Sequence, residues 1–191
     1  MAGVDEVGRG CLAGPVFAAA VILNKNIDTK NIKDSKKLSF NKRILLSKYI
    51  KKNSIYALGI ASVEEINKIN ILNASLLSMK RALSKLSIKP GLAYIDGPFA
   101  PNLKNMKFKT FIKGDEKIKS IAAASVIAKV SRDLFMINLS TKYPKYCWNK
   151  NFGYGTNDHL AALKKYGITK YHRKKFKPVH NILFPKTRET Q

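Results

Sequence analysis

The sequence predicts an α/β domain built around a mixed β-sheet. Three observations support this class: strand-like segments cluster at the start of the chain, strand and helix patterns alternate after them, and no linker or repeat divides them. The chain has 191 residues, 45% of them hydrophobic, which is enough for one domain with a sizeable core. We expect a single domain over residues 1–191, with residues 144–191 as a helical and basic C-terminal extension.

Two strands are predicted at the N-terminus. They cover residues 1–9 and 16–23, and the glycine-rich turn at residues 8–10 joins them. Gly14 and Pro15 open the second strand, as is typical where a chain leaves a turn.

A basic loop leads to the first helix, which is predicted at residues 40–52. Ile44, Leu45 and Tyr49 recur there at helical spacing. Residues 54–62 then predict a third strand.

The rest of the chain alternates between helices and strands. Residues 63–86 predict one or two helices, and residues 91–96 and 107–112 predict two short strands. A long Ala- and Ser-rich helix is predicted at residues 117–139. A further helix near residues 157–166 precedes an irregular basic tail.

The charge of the chain predicts a polyanionic partner. The chain holds 36 Lys and Arg against 12 Asp and Glu, a formal net charge of +24 at pH 7, which far exceeds what solubility needs. Such a surface binds nucleic acid through its phosphates, with sequence-independent and salt-sensitive affinity. The alternative is a compositional bias that fills surface positions with Lys, since Lys, Ile and Asn are all abundant.

Cysteine usage and hydropathy predict a soluble, cytoplasmic protein. Cys11 and Cys147 match no metal-ligand spacing and are too few for a disulfide framework, so reduced thiols are expected. The longest apolar run, residues 12–23, is shorter than the about 20 residues that span a bilayer. Asp5 and Glu6 precede it, where a signal peptide would carry basic residues. No membrane partner is expected.

Four of the 12 acidic side chains lie in or next to predicted strands. Asp5 and Glu6 are adjacent in the first strand, Asp96 ends a later strand, and Asp115 follows the next one. Because clustered carboxylates repel one another unless cations hold them, this set predicts Mg²⁺ or Mn²⁺. Two ions about 3.5 to 4 Å apart would clamp the attacking water and the leaving oxygen of a phosphodiester. Taken singly, each carboxylate also fits a turn, a helix cap or a solvated strand position.

Helix geometry separates Asp115 from Asp133 as the fourth acidic ligand. A continuous helix would place them roughly 27 Å apart, at about 1.5 Å per residue, so they cannot share one site. Asp115, between a strand and the helix, is the better ligand, whereas Asp133 beside Arg132 is expected to form a structural ion pair. Adjacent strand residues face opposite sides, so the division of the metals between Asp5 and Glu6 stays open.

Seven motifs resemble the ribonuclease HII family along nearly the whole chain. They are DEVGRG at residues 5–10, LAGPV at 12–16, DSKKLS at 34–39, YIDG at 94–97, KGD at 113–115, AAASVIAKVSRD at 122–133 and GYGTxxH at 153–159. The match is highly specific because the motifs recur in one order over so much of the chain.

The resemblance implies a ribonuclease H-like mixed five-stranded sheet flanked by helices, with a helical C-terminal region. In that family the DE pair, the DG aspartate and the GD aspartate form the catalytic, metal-binding set, which implies a two-ion Mg²⁺ or Mn²⁺ site. The start of the chain close to its first strand leads us to expect the type 2 rather than the type 3 enzyme. The implied catalytic residues are Asp5, Glu6, Asp96 and Asp115.

The resemblance also implies residues that read the substrate. The family's GRG turn approaches the nucleotide whose 2′-hydroxyl marks it as RNA, a role implied here for Gly8, Arg9 and Gly10. Tyr154 resembles the family tyrosine that packs on the deoxyribose after the ribonucleotide. His172, by contrast, is expected to have a structural role, in packing or capping. Among the basic and histidine side chains, the candidates for phosphate contact are Lys36, Lys37, Lys113, Lys129, Arg132 and His159.

The resemblance to this family implies an endonuclease that cuts the RNA strand of RNA/DNA hybrids and nicks 5′ to single ribonucleotides in duplex DNA, leaving 5′-phosphate and 3′-hydroxyl ends. The alternative is a non-catalytic basic RNA- or DNA-binding protein. That class explains the charge but not the positions of the four acids. We expect a monomer, with contact to a replication clamp left open.

Overall fold

The computed structural model describes residues 1–30, 32 and 38–185. Its strands are β1 Ala2–Val7, β2 Val16–Leu23, β3 Ser54–Ala61, β4 Leu92–Asp96 and β5 Lys107–Phe111. They form a five-stranded sheet in the order β3-β2-β1-β4-β5. β1 pairs antiparallel with β2, as does β2 with β3, whereas β4 pairs parallel with both β1 and β5. The predicted mixed sheet is therefore confirmed.

Helices flank this sheet and follow it in the chain. They are α1 Phe40–Lys52, α2 Val63–Ser84, α3 Gly114–Lys117, α4 Lys119–Lys142, α5 Trp148–Asn151, α6 Asn157–Tyr166 and α7 Lys177–Leu183, with a 3₁₀ turn at Pro144–Tyr146. The helix predicted at residues 117–139 begins later than expected. Ile118 is extended, with φ −122° and ψ 116°, and this break separates α3 from α4.

Helices α4 and α2 cover opposite faces of the sheet, and glycine lets both approach closely. A Cβ atom on Gly3 of β1 would overlap the backbone of Ser120 in α4, and one on Gly59 of β3 would overlap the Ser78 carbonyl in α2. Side chains alternate along β1, so Gly3 faces α4 whereas Val4 packs in the core with α2.

Helix α1 buries a different side from the one that the sequence indicated. Leu46 and Ile50 are buried, while Leu45 and Tyr49 are 64% and 40% exposed. Both pairs have the spacing of one helical turn, so periodicity alone could not choose between them. Packing against α4 decides the buried side, because Leu46 and Ile50 share a core with the alanines of that helix.

Helix α2 is a single element with a break at Asn70. This residue has a left-handed φ of 67°, and its side-chain oxygen accepts a hydrogen bond from the Asn73 N–H at 3.0 Å. The side chain therefore caps the helical turns that follow the break. The prediction for residues 63–86 left open one helix or two. The structure has one helix, which the break at Asn70 divides into two parts.

The C-terminal extension packs around Trp148, which is fully buried. Its core joins Tyr146, Leu163 and Val179 to Leu12 in the loop between β1 and β2. The helical extension is present as predicted, but the tail predicted to be irregular contains α7. Val179 of α7 anchors this helix in the core, which explains why the segment is ordered as a helix rather than a loop.

No helix in the described residues is both long and apolar enough to cross a membrane. Cys11 and Cys147 are free thiols, and Cys11 is buried. Cys11 lies in the loop between β1 and β2, beside the turn at residues 8–10.

Candidate active site

Three acidic side chains meet at one edge of the sheet, where β1 and β4 end. These strands are parallel, and Val4 stands opposite Ile95 in the register. The residues that follow, Asp5, Glu6 and Asp96, therefore reach the same edge. The carboxyl ends of parallel strands are where ligands bind in open α/β sheets.

Asp5 lies on the face of the sheet that α4 covers, and only 5% of it is exposed. Its Oδ1 atom accepts a hydrogen bond from the Glu6 N–H at 2.7 Å, and Ser125 of α4 contributes a side-chain hydrogen bond. Burial raises the pKa of Asp5 well above its usual value, and the charges of Glu6 and Asp96 add to the effect. A nearby cation would therefore stabilise the ionised form of this buried carboxyl group.

Glu6 lies on the opposite face, in a cleft shared with Asp96 and with residues of α2. Its Oε1 atom accepts a hydrogen bond from Arg9 at 3.2 Å, whereas Oε2 is buried and accepts none from the described residues. Burial raises the pKa of Glu6, the ion pair with Arg9 lowers it, and the charge of Asp96 raises it again. An unsatisfied buried carboxylate oxygen is a candidate metal ligand.

Asp96 connects the end of β4 to α3. Its Oδ1 atom accepts a hydrogen bond from the Gly114 N–H at 2.6 Å. A Cβ atom on Gly114 would lie 3.3 Å from this oxygen and 2.7 Å from Ile121 Cδ1, so a side chain there would crowd the contact. Asp115, half-buried in the first turn of α3, follows Gly114 directly and is brought to the same region.

The GRG loop, residues 8–10, follows β1 and borders the acidic cleft. Gly8 has a φ of 97°, which favours glycine, and the Cβ of any other residue would overlap the Arg132 side chain. Arg9 reaches back to Glu6, and its side chain is 46% exposed. Gly10 is exposed, with open space around it. The loop can therefore approach a ligand closely.

Tyr154 stands beside the GRG loop in the segment that joins α5 to α6. Its side chain is partly exposed, at 37%, and Lys129 Nζ lies 5.7 Å from the ring centroid. Burial of the hydroxyl is the main reason that the pKa of Tyr154 rises to about 12. The ring is thus available for contact, while its phenol stays protonated at neutral pH.

Known proteins of similar sequence share one family. The ribonuclease HII family model matches residues 2–179 of this chain. The ribonuclease HII of Pelagibacter ubique is 63% identical over 183 residues, which cover 96% of this chain and 98% of that protein. This chain belongs to the ribonuclease HII family. It is therefore a metal-dependent ribonuclease, a hydrolase.

Solved structures confirm the predicted ribonuclease H-like fold of this family member. Ribonuclease H2 from Pyrococcus horikoshii gives a TM-score of 0.79 at 29% identity, with 95% of each chain covered. The RNase HII of Archaeoglobus fulgidus, solved as a complex with PCNA, gives 0.78 at 26% identity, covering 100% of this chain and 97% of that one.

The acidic group of this ribonuclease HII fits a divalent metal centre by the chemistry of its donors. Carboxylate oxygens are the ligands that Mg²⁺ and Mn²⁺ prefer, and no donor among the described residues reaches the buried Glu6 Oε2 atom. Within the described ranges, no three Asp, Glu, His or Cys side chains stand at the spacing of a formed metal site. Asp5 and Asp96 each accept a backbone N–H through Oδ1.

Two predicted phosphate contacts, Arg132 and His159, are wrong because both side chains are fully buried. The Arg132 guanidinium donates to three backbone carbonyls. His159 Nδ1 lies 2.8 Å from the Tyr154 carbonyl oxygen. Since a carbonyl can only accept, Nδ1 carries the proton. His159 therefore holds the Tyr154 segment instead of binding phosphate.

The structural ion pair predicted for Asp133 is present, but its partner is not the adjacent Arg132. Asp133 pairs with Lys129, whose Nζ lies 2.8 Å from Oδ1, and not with Arg132. One helical turn separates Lys129 from Asp133, whereas the adjacent Arg132 points to a different side of α4. Lys129 stays partly exposed, at 28%, and Lys113 is exposed before α3, so both stay candidates for phosphate contact. Lys36 and Lys37 lie outside the described residues.

Sequence reasoning missed Ser125 and Arg173 as residues that support the site. Ser125 hydrogen bonds to Asp5, and Arg173 donates to carbonyl oxygens of the GRG loop. Ser125 lies inside the motif at residues 122–133, but a motif does not tell which of its residues contact another motif, and Arg173 lies after the last of the seven motifs. His172 is buried and accepts the Thr169 N–H at 2.8 Å, in agreement with a packing or capping role.

Proposed function

We propose that this ribonuclease HII hydrolyses the RNA strand of RNA/DNA hybrids and nicks duplex DNA 5′ to a single ribonucleotide, leaving 3′-hydroxyl and 5′-phosphate ends. One observation carries the proposal: Asp5, Glu6 and Asp96 share a sheet edge beside the GRG loop. The chain around them has a net charge of +24. A repelling acidic cluster within a basic protein suits a site that receives phosphate together with metal ions.

Asp5, Glu6, Asp96 and Asp115 would hold two Mg²⁺ or Mn²⁺ ions. Such ions, when bound, activate the attacking water and stabilise the leaving oxygen. Asp5 lies on the α4 face of β1 and Glu6 on the α2 face, so the end of this strand can supply ligands on two sides. The contact of Asp96 with Gly114 supports Asp115 as the fourth ligand.

The substrate would be held by residues beside the acidic cluster. The GRG loop would read the 2′-hydroxyl through its backbone, since glycine allows close approach to a sugar. Tyr154 would pack on the deoxyribose that follows the ribonucleotide, and its exposed ring supports this role. Lys113 and Lys129 would contact phosphates, which position the duplex without reading its sequence.

A nicking assay tests this function directly. We expect the protein to cut a DNA duplex that contains one ribonucleotide in the presence of Mg²⁺ or Mn²⁺, and to leave the all-DNA duplex of the same sequence intact. Chelation of the metal should stop cleavage but not binding. Binding without metal-dependent nicking would instead identify a non-catalytic nucleic-acid-binding protein.

The monomeric state and the cytoplasmic location stay predictions. Light scattering coupled to size exclusion measures the first, and a mass of 21.4 kDa corresponds to one chain. The PCNA contact is a property of the Archaeoglobus fulgidus complex and contributes nothing to the proposal made for this chain.

A further inference from the structure

Two arginines, Arg132 and Arg173, are fully buried behind the GRG loop. Neither has a carboxylate partner among the described residues. Burial lowers the pKa of Arg173 to about 10, and the nearby charge of Arg132 contributes to this shift. Burial of unpaired cations is strongly unfavourable unless many hydrogen bonds satisfy them. Their partners therefore indicate why they are present.

Arg173 holds both ends of the loop that contains the GRG turn. Its Nη2 atom donates to the Gly8 carbonyl at 2.6 Å and to the Gly14 carbonyl at 2.8 Å. Its Nη1 atom donates to the Arg9 carbonyl at 2.8 Å, and its Nε atom donates to Gly14 at 3.0 Å. One guanidinium thus fixes three carbonyl groups of one short segment.

Arg132 joins this loop to the segment that carries Tyr154. Its Nε and Nη2 atoms donate to the carbonyls of Pro15 and Ala13 at 2.9 and 3.0 Å. Its Nη1 atom donates to the Phe152 carbonyl at 2.9 Å, two residues before Tyr154. The two segments are also in direct contact, because the Leu12 N–H donates to the Gly153 carbonyl at 2.8 Å.

The inward direction of these carbonyls sets the direction of the amides. A peptide group is planar and trans, so its C=O and N–H point to opposite sides. Because the carbonyls of Gly8 and Arg9 face Arg173, the N–H groups of Arg9 and Gly10 face away from it. In the described part of the chain, neither N–H donates to a protein acceptor. Both stay available to a ligand oxygen.

We propose that Arg132 and Arg173 are positioning residues. They hold the GRG loop and the Tyr154 segment rigidly together, so that both segments recognise the ribonucleotide. They act through the backbone and do not touch the substrate. The proposal rests on the proposed function, because it assigns the source of selectivity for a ribonucleotide. Only a guanidinium suits this role, since its five N–H groups form a planar fork, whereas a lysine has a single compact ammonium group.

Substitution by lysine tests the proposal with the charge retained. In Arg173→Lys we expect the rate of single-turnover nicking at one ribonucleotide to fall about 10- to 100-fold, as displaced reading groups typically cause. Cleavage of a long RNA/DNA hybrid should fall less, because many ribonucleotides offer alternative registers. The ratio of the two rates is the readout, since a general loss of folded protein would lower both equally.

Hydrogen exchange supplies a readout that does not depend on activity. The amides of Leu12, Ala13 and Gly14 donate to carbonyls of Gly153 and Tyr171. We expect their exchange to accelerate about 10-fold or more in Arg173→Lys and Arg132→Lys, because local opening becomes easier. Arg81→Lys is the matched control, since Arg81 lies on α2 in a partly exposed pair with Glu65, and it should change neither exchange nor selectivity.

The outcomes separate the two proposals. A wild-type protein that does not nick overturns the proposed function, whatever the exchange data show. Native exchange and a native rate ratio in Arg173→Lys overturn the positioning role. If the lysine variants do not fold, nitrogen-15 NMR of the unmodified protein decides: the Nε–H protons of Arg132 and Arg173 should be strongly protected from exchange with water. Fast exchange of both would contradict the proposal.

Discussion

At the scale of single residues, neighbouring groups set both the pKa values and the positions of the carboxylates in the acidic cluster. Burial raises the pKa values of Asp5 and Glu6, and the negative charge of Asp96 adds to both shifts. Backbone N–H groups hold one oxygen of Asp5 and one of Asp96. These contacts fix the carboxylates near each other before any ion is present, which limits the reorganisation that binding requires.

The substitution Asp96→Asn should abolish metal-dependent nicking while duplex affinity stays nearly unchanged. Its amide oxygen can still accept the Gly114 N–H, so the fold should persist, whereas the charge that attracts a divalent ion is lost. Single-turnover cleavage and fluorescence anisotropy measure the two effects. Asp158→Asn, at an exposed position in α6, is the control. Native nicking by Asp96→Asn would remove this residue from the mechanism.

At the scale of elements, close packing of strands and helices decides where the acids arrive. Gly3 lets α4 lie directly against β1, and the same helix carries Ser125, the partner of Asp5. The break at Ile118 then separates α3 from α4, so that Asp115 can sit close to Asp96. Helix position and site geometry are therefore coupled.

The substitution Gly3→Ala should lower the free energy of unfolding by about 3 kcal/mol, because an added methyl group forces α4 away from the sheet. Urea denaturation followed by circular dichroism measures the change. Gly91→Ala is the matched control: its Cβ would meet no atom within 4 Å, so the effect should stay within about 0.5 kcal/mol. Equal effects of the two substitutions would contradict close packing at Gly3.

The C-terminal extension should lose stability in acid through His172. Burial is the main cause that lowers the pKa of His172 from 6.5 to about 3, and His159 contributes. Both ring nitrogens are engaged: Nδ1 accepts from Thr169, and Nε2 faces His159 Nε2. Trp148 donates to that same His159 nitrogen at 3.1 Å, so His172 must carry its proton on Nε2. Both histidines are therefore neutral in the folded protein.

Proton uptake by the unfolded chain sets the direction in which stability changes with pH. Between the two pKa values only the unfolded chain binds a proton at His172, so stability falls as the pH falls through this window. From about pH 7.5 to about pH 5.5, this group alone should lower the free energy of unfolding by about 1.4 kcal/mol. Urea unfolding at both pH values should show that His172→Asn loses less free energy of unfolding than the unmodified protein. Tyr146 and His159 are the titratable groups facing His172. If the free energy of unfolding of His172→Asn fell with pH as steeply as that of the unmodified protein, His172 would be excluded as the cause.

At the scale of the whole molecule, charge and core packing serve different purposes. The net charge of +24 provides attraction to a polyanion wherever the duplex lies. The C-terminal extension provides Arg173, which reaches the GRG loop across 165 sequence positions, and His172, which contacts His159. The surface charge is therefore spread over the molecule, whereas the geometry of the GRG loop depends on contacts between distant segments.

Duplex affinity should be strongly salt-dependent. If six or more phosphates are contacted, the dissociation constant should rise about 1,000-fold between about 50 mM and 200 mM salt, because bound counterions are released on association. Fluorescence anisotropy without divalent metal measures it. An all-DNA duplex of equal length should show the same dependence of the dissociation constant on salt, since phosphate contacts do not distinguish the sugar. Salt-independent affinity would argue against a binding surface of this kind.

Local patterns predicted most of the elements because periodicity and glycine turns act over a few residues. The bounds of β2, α1 and α6 agree with the predicted ranges. The buried side of α1 was not predictable, since Leu45 and Leu46 both belong to apolar stripes and only α4 decides between them. Likewise, α7 was missed because its order depends on Val179 in a distant core.

The sequence by itself determined the α/β class, the preference for a polyanion and the acidic set at strand ends, because composition, charge and the order of elements do not depend on packing. The tertiary structure alone decided which cations face solvent and which are enclosed. Arg132 and Lys129 are only three positions apart on α4, yet the first lies buried against Pro15, 117 positions away, and the second stays partly exposed. Burial is set by segments far along the chain, and no local pattern records them.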